Sequence, residues 1–145
     1  MTKVTAIMMA VMVGFCISLQ ATINTALGRA STPKNAALFS FLLGTAALLV
    51  INGITGELKS FKMAFNAPYY LLIGGLLGAI IVFSQITVIP VIGVGTTISL
   101  MVTVQLITGI IIDHFGWLGT PKTPVDLSRI FGVILLLISL RFIIK

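Results

Sequence analysis

The chain has 145 residues, 58% apolar and only 8% charged, with a mean hydropathy of +1.19 and a formal net charge of +6. Soluble domains carry about 25% charged residues, so the composition excludes a water-soluble globule and indicates an integral membrane protein whose first partner is the lipid bilayer. The nine Lys and Arg residues are scattered near the ends of apolar runs, not clustered as nucleic-acid binders cluster them; they fit anionic lipid headgroups, and no nucleic-acid partner is expected.

A bilayer's hydrocarbon core is about 30 Å thick and takes about 20 apolar residues of helix to cross. The first uncharged run, Val4 to Gly28, covers 25 residues and predicts a helix over 4–27. Lys3 followed by Val4–Leu19, with Cys16-Ile17-Ser18 at cleavage spacing, resembles a signal peptide. The run outlasts a usual signal core, so this helix is expected to be retained. Cys16 is the sole cysteine, so no intrachain disulfide can form. Gly28-Arg29-Ala30-Ser31 ends the helix, and Thr32-Pro33 opens the next, over 33–54. Thr can accept from a free amide there, and Pro in the first turn gives up a donor that had no partner.

Glu57–Phe65 mixes Glu57, Lys59 and Lys62 with Leu58, Phe61, Met63 and Phe65 and reads as an interfacial stretch. Asn66-Ala67-Pro68 starts a third helix over 68–89, with Tyr69 and Tyr70 at headgroup depth. Between Lys62 and Asp113 lie fifty residues without a charge. Pro90, Gly93 and Gly95 break that run, and so short a break predicts antiparallel neighbours. The fourth helix covers 96–112 and exits at Asp113, His114 and Trp117. Thr123-Pro124-Val125-Asp126 reads as a capping box and opens a fifth helix, 124–144. Only eleven residues, Ile130–Leu140, separate Arg129 from Arg141 there, and both arginines can snorkel to the interfaces. The connections are too short to bury a soluble core. The expected architecture is therefore all-α, a single transmembrane domain over 1–145 built as a five-helix bundle.

Five spans put the termini on opposite sides. One side then holds Lys3, Lys59, Lys62, Lys122 and Arg129; the other holds Arg29, Lys34, Arg141 and Lys145. Orientation follows an excess of Lys and Arg on the cytoplasmic side, and five against four barely chooses. A chain that inserts both ways, or relies on an inverted paralogue, is expected to assemble as an antiparallel pair, a homodimer or a paralogue pair. Inverted repeats are also how many transporters hold a substrate at the midplane.

Polar side chains within spans are costly in lipid and tend to face the bundle interior. Gln20 and Asn24 share one face of the first helix at i and i+4. Gln85 lies on the third helix, on a rough face with Gly74 and Gly78, a small-xxx-small pair that permits close packing. On the fourth helix Gln105, Gly109 and Asp113 follow one another at i+4 steps, beside Thr108. Gln20, Asn24, Gln85, Gln105 and Thr108 are candidate pathway residues, and Gly74, Gly78 and Gly109 candidate packing residues. The competing reading makes the amides interhelical hydrogen-bond partners that lock the bundle. No Asp or Glu lies in mid-span, so Asp113 with His114 is the one candidate for ion coupling, against the plainer reading of a solvated helix end. A single histidine and a single cysteine leave no metal site, cofactor or nucleophile–base pair in view, so no enzymatic activity is expected.

Gln20-Ala21-Thr22-Ile23-Asn24-Thr25-Ala26-Leu27-Gly28, Gly74-Gly75-Leu76-Leu77-Gly78-Ala79, Gln105-Leu106-Ile107-Thr108-Gly109 with Asp113-His114-Phe115-Gly116, and Pro124 followed by Arg129-Ile130-Phe131-Gly132 together resemble the YdcZ-like membrane proteins of the drug/metabolite transporter superfamily, which is related to the EamA-type carriers. The resemblance covers most of the chain. It implies a multi-pass protein of the bacterial inner membrane, a five-helix unit equivalent to half of a ten-helix inverted-repeat carrier. The four-helix multidrug exporters of that superfamily keep a glutamate in helix 1; this chain has none there, which separates it from their proton-antiport mechanism. The expected function is transport of a small organic solute by alternating access between inverted halves. The alternative is a non-transporting membrane subunit of a larger complex.

Overall fold

The computed structural model describes residues 2–144; Lys145, one of the cations counted above, lies outside them. Among the described residues there are helices and no strands: α1 (Lys3–Ala30), α2 (Pro33–Thr55), α3 (Gly74–Ile92), α4 (Val94–Phe115) and α5 (Leu127–Ile143), with 3₁₀ segments at Glu57–Asn66, Tyr69–Ile73 and Trp117–Gly119. The chain divides into two compact units, residues 1–91 and 92–145.

In the first unit the helix boundaries follow local chemistry. Ser31 closes α1 with its N–H on the Leu27 carbonyl at 3.0 Å. Thr32 caps α2, its hydroxyl accepting from the Asn35 amide at 3.2 Å with Pro33 in the first turn, as the sequence pattern predicts. At the far end of α2, Gly56 stands at φ 77°, a left-handed conformation that a side chain disfavours. The 3₁₀ segment Glu57–Asn66 then folds back against α2.

The buried set is small-residue rich. Ala21, Asn24, Thr25 and Gly28 of α1 are buried, with Ala36 and Ala37 of α2. Ala36 and Ala37 form one core cluster with Val82 and Ile86 of α3. Small side chains let helix backbones approach closely, which is how helices associate when lipid offers no hydrophobic driving force. The tightest point is Gly28, where an added Cβ would overlap Ile86 Cγ2.

The third helix differs from its predicted bounds at both ends. Its first turn is 3₁₀, over Tyr69–Ile73, and it runs past Pro90 to Ile92. Proline removes one hydrogen bond to the preceding turn but does not end the helix; the break falls at Gly93, with φ 83° and ψ 161°.

Among the described residues four helices are long and apolar enough to cross a membrane: Lys3–Ala30, Pro33–Thr55, Tyr69–Ile92 and Val94–Phe115. At 1.5 Å per residue α1 reaches about 42 Å, whereas α5, with 17 residues, reaches about 26 Å. The outer surface confirms lipid as the solvent. Phe15, Leu43, Ile54, Leu76 and Phe131 are all more than 60% exposed, a surface that a water-soluble monomer does not carry. Span hydroxyls are satisfied inside their own helices: Thr22 donates to the Ser18 carbonyl, Thr25 to Ala21, Thr87 to Phe83 and Thr103 to Ser99. Such i−4 bonds remove the cost of an unpaired polar group in hydrocarbon.

In the second unit α4 packs on α5. Gly116, at φ 68°, closes α4 with its N–H on the Ile112 carbonyl at 2.8 Å. The connection is strapped to the end of α4: the Thr123 amide donates to the Asp113 carbonyl at 2.8 Å, and the Val125 amide to His114 Nδ1 at 3.2 Å. The predicted capping box is therefore displaced. Thr123 is held in the strap, and Asp126 is the N-cap of α5, its carboxylate accepting from the Arg129 amide at 2.8 Å.

Candidate functional site

Asn24 and Gln20 fall on one face of α1 and meet α2 there. Asn24 is buried, and its Nδ2 donates to Ser40 Oγ at 3.1 Å. One turn away, Gln20 lines a cavity of about 210 Å³ with Ser40, Phe41, Gly44, Thr45 and Leu48 of α2. The polar part of its wall comes from α1 through Gln20 and from α2 through Ser40 and Thr45. The Cβ position of Gly44 meets nothing within 4 Å, which keeps that wall open. Small-molecule sites are mostly apolar hollows with a few placed polar groups, and this hollow has that composition.

Of the residues that line this hollow, Gln20 is a candidate from the sequence, whereas those of α2 are not. Phe41, Thr45, Leu48 and Asn52 recur at i, i+4, i+7 and i+11, one face of a helix. That periodicity would have marked Thr45 and Asn52 as a polar stripe facing a neighbour. Gln85, on α3, is buried at 4% exposure. Gln105 and Thr108 belong to the second unit and are exposed on α4.

The packing glycines divide in the same way. Gly78 lies against Phe41, whose Cζ would stand 3.3 Å from an added Cβ. Gly74 and Gly109 have nothing within 4 Å of that position; close approach in the first unit is made instead at Gly28, which sequence reasoning used only as a helix end.

Asp113 and His114 are half-buried at the end of α4 and are engaged structurally. Asp113 Oδ2 lies 3.6 Å from Arg129 Nη1 of α5. His114 Nδ1 accepts from the Val125 amide, and its ring meets Phe115 edge-on at 4.9 Å. Arg129, read from sequence as a snorkelling residue, is thus the ionic partner of Asp113. Among the described residues no group of three or more His, Cys, Asp or Glu side chains could hold a metal ion.

A family model described as "Putative inner membrane exporter, YdcZ" matches residues 5–142. The chain is 32% identical over 110 residues to the inner membrane protein YdcZ of Escherichia coli (strain K12), covering 75% of this chain and 73% of that protein. No solved structure matches.

Proposed function

The chain belongs to the YdcZ family of multi-pass inner-membrane proteins, and from that premise we propose that it moves a small organic solute out across the inner membrane. The observation that carries this reading is the hollow between α1 and α2, where Gln20, Ser40 and Thr45 offer hydrogen-bonding groups inside an otherwise apolar wall. The family's description as an exporter supports the direction. One chain supplies half of the carrier. In this proposal α5 is drawn into the bilayer as a fifth span, its Arg129 and Arg141 reaching the two interfaces. Two oppositely inserted copies, or the chain with an inverted paralogue, then form a ten-helix unit of the drug/metabolite transporter type. Alternating access arises from rocking of one inverted half against the other. The chemistry asked of the protein is binding and release, with no bond made or broken and no cofactor.

Everted membrane vesicles from cells expressing the chain test the proposal. Uptake is followed for a panel of radiolabelled organic cations, anions and neutral solutes, with wild type, Asn24→Ala and Ser40→Ala compared at equal expression. At least one solute is expected to accumulate in wild-type vesicles and to lose most of that flux in Asn24→Ala. No flux for any solute, together with obligatory co-purification in an unrelated complex, would overturn it in favour of a structural subunit.

A further inference from the structure

A larger cavity, about 480 Å³, opens where the 3₁₀ segment Glu57–Asn66 folds back on α2; it is lined by Thr45, Leu48, Leu49, Asn52, Glu57, Leu58, Ser60 and Phe61. It shares Thr45 and Leu48 with the hollow that Gln20 and Ser40 line, so the two form one track along α2.

We propose that this cavity is a binding site for a lipophilic organic cation, with the Glu57 carboxylate as its counter-charge. Three independent features of the site favour that chemistry. Glu57 is the only acidic residue in the first unit, and among the described residues it has no ion-pair or hydrogen-bond partner, the one ion pair there being Arg129–Asp113. The site also lies at the C-terminal end of α2, which stops at Thr55. Backbone carbonyls there concentrate about half a negative charge that favours a cation and disfavours an anion. Finally, the walls are apolar and aromatic, from Leu48, Leu49, Leu58 and Phe61, and a ring face attracts an ammonium or phosphonium group as well as its hydrocarbon. Lys59 and Lys62 belong to the same segment but do not line the cavity. The Asn52 side chain donates to the Leu48 carbonyl at 2.8 Å, which commits its nitrogen to α2 and leaves its oxygen as an acceptor for the ligand.

The site deepens the exporter reading and rests on it only for onward movement: a cation held at the interface by Glu57 passes Thr45 to reach the Gln20 hollow. The binding itself stands apart from transport. The ammonium has two possible sources, a free organic cation or the headgroup amine of a membrane lipid, and the test separates them.

The full chain in detergent is titrated with tetraphenylphosphonium and, separately, with tetraphenylborate, ions of similar size and opposite charge. The phosphonium is expected to bind at least tenfold more tightly, and Glu57→Gln to abolish that preference. Phe61→Ala is expected to weaken the phosphonium several-fold with Glu57 intact. Equal affinity for the two ions, or phosphonium binding unaltered in Glu57→Gln, would overturn the proposal. Repeating the titration in vesicles with and without phosphatidylethanolamine assigns the source: competition by that lipid makes its headgroup the resident cation, and no competition leaves a free solute, each upholding the ammonium site. Solute flux in a protein whose phosphonium binding ignores Glu57→Gln would defeat this inference while leaving the exporter standing. Glu57-dependent binding without flux of any solute would do the reverse.

Discussion

Asn24 and Ser40 join α1 to α2, amide nitrogen to hydroxyl oxygen at 3.1 Å, beside the hollow that Gln20 and Thr45 help line. This pair has a structural and a functional consequence that can be separated. Interhelical hydrogen bonds in membrane proteins average about 0.6 kcal/mol in double-mutant cycles. Asn24→Ala, Ser40→Ala and the double variant, unfolded in detergent, are therefore expected to show a coupling of about 0.5 to 1 kcal/mol. If the pair also serves the solute, through Ser40 in the wall of the hollow and Asn24 holding it there, both Asn24→Ala and Ser40→Ala lose far more flux than their stability losses account for. Flux losses in both that match their stability losses would return the pair to a purely structural role.

Gly28 has the least room of the glycines, its neighbour being Ile86. An alanine Cβ at Gly28 would overlap Ile86 Cγ2, with Pro33 Cα at 3.8 Å and Ala36 Cβ at 3.9 Å behind it. Ile86 is 2% exposed, and a β-branched side chain has little rotameric freedom to retreat. Gly28→Ala is expected to destabilise by about 1 to 3 kcal/mol, the range for overpacking. Gly14→Ala, with nothing within 4 Å, serves as the control and gains up to about 1 kcal/mol of helix propensity. Ile86→Leu removes the branch methyl and is expected to rescue Gly28→Ala. A Gly28→Ala protein as stable as wild type would refute this packing.

These two relationships show what was legible in the chain. The α1–α2 boundary was readable because Thr32-Pro33 acts through its own neighbours, and the i,i+4 spacing put Gln20 and Asn24 together for the same reason. Ser40 and Gly28 were not readable as site and contact residues. Their roles depend on which turn of a second helix lies opposite, and register between helices is not encoded locally. Thr123 shows the converse case. Its local motif was sound, but its amide was claimed by the Asp113 carbonyl ten residues earlier, and the cap moved to Asp126.

That displacement is itself testable. Asp126→Ala removes a charge-bearing N-cap and is expected to cost about 1 kcal/mol, within the usual range for such caps. Thr123→Ala keeps the backbone bond to Asp113 and loses only a hydroxyl contact to the Pro121 carbonyl at 3.4 Å, so it is expected to be nearly neutral. Thermal unfolding in detergent would rank them; a larger loss in Thr123→Ala would restore the capping box to its predicted place.

Asp113 and Arg129 are 44% and 33% exposed in their side chains, and exposed pairs are worth at most about 1 kcal/mol. Asp113→Asn is accordingly expected to leave stability almost unchanged. Its effect on the pH dependence of flux is the informative readout: a flattened profile supports a coupling role, and an unaltered one leaves Asp113 as an anchor for α5. His114→Ala adds a separate measurement, since it leaves the Val125 amide without its acceptor. Faster hydrogen exchange at that amide is expected whether or not Asp113 couples ions.

The number of spans decides the orientation, because α5 carries the balance of charge. If the 17 residues of α5 stay out of the bilayer, the chain crosses four times. Lys3, Lys59, Lys62, Lys122, Arg129, Arg141 and Lys145 then share a side against Arg29 and Lys34. Seven against two would fix one orientation, with both termini in the cytoplasm. If α5 crosses, Arg141 and Lys145 move to the other side and the count becomes five against four, too even to fix either orientation. The expected result is the second: a reporter fused to the C-terminus active on both faces of the membrane, and Arg141→Ala together with Lys145→Ala driving it to the periplasmic face. A purely cytoplasmic signal, with an N-terminal reporter on the same face, would establish four spans and remove the basis for an inverted pair.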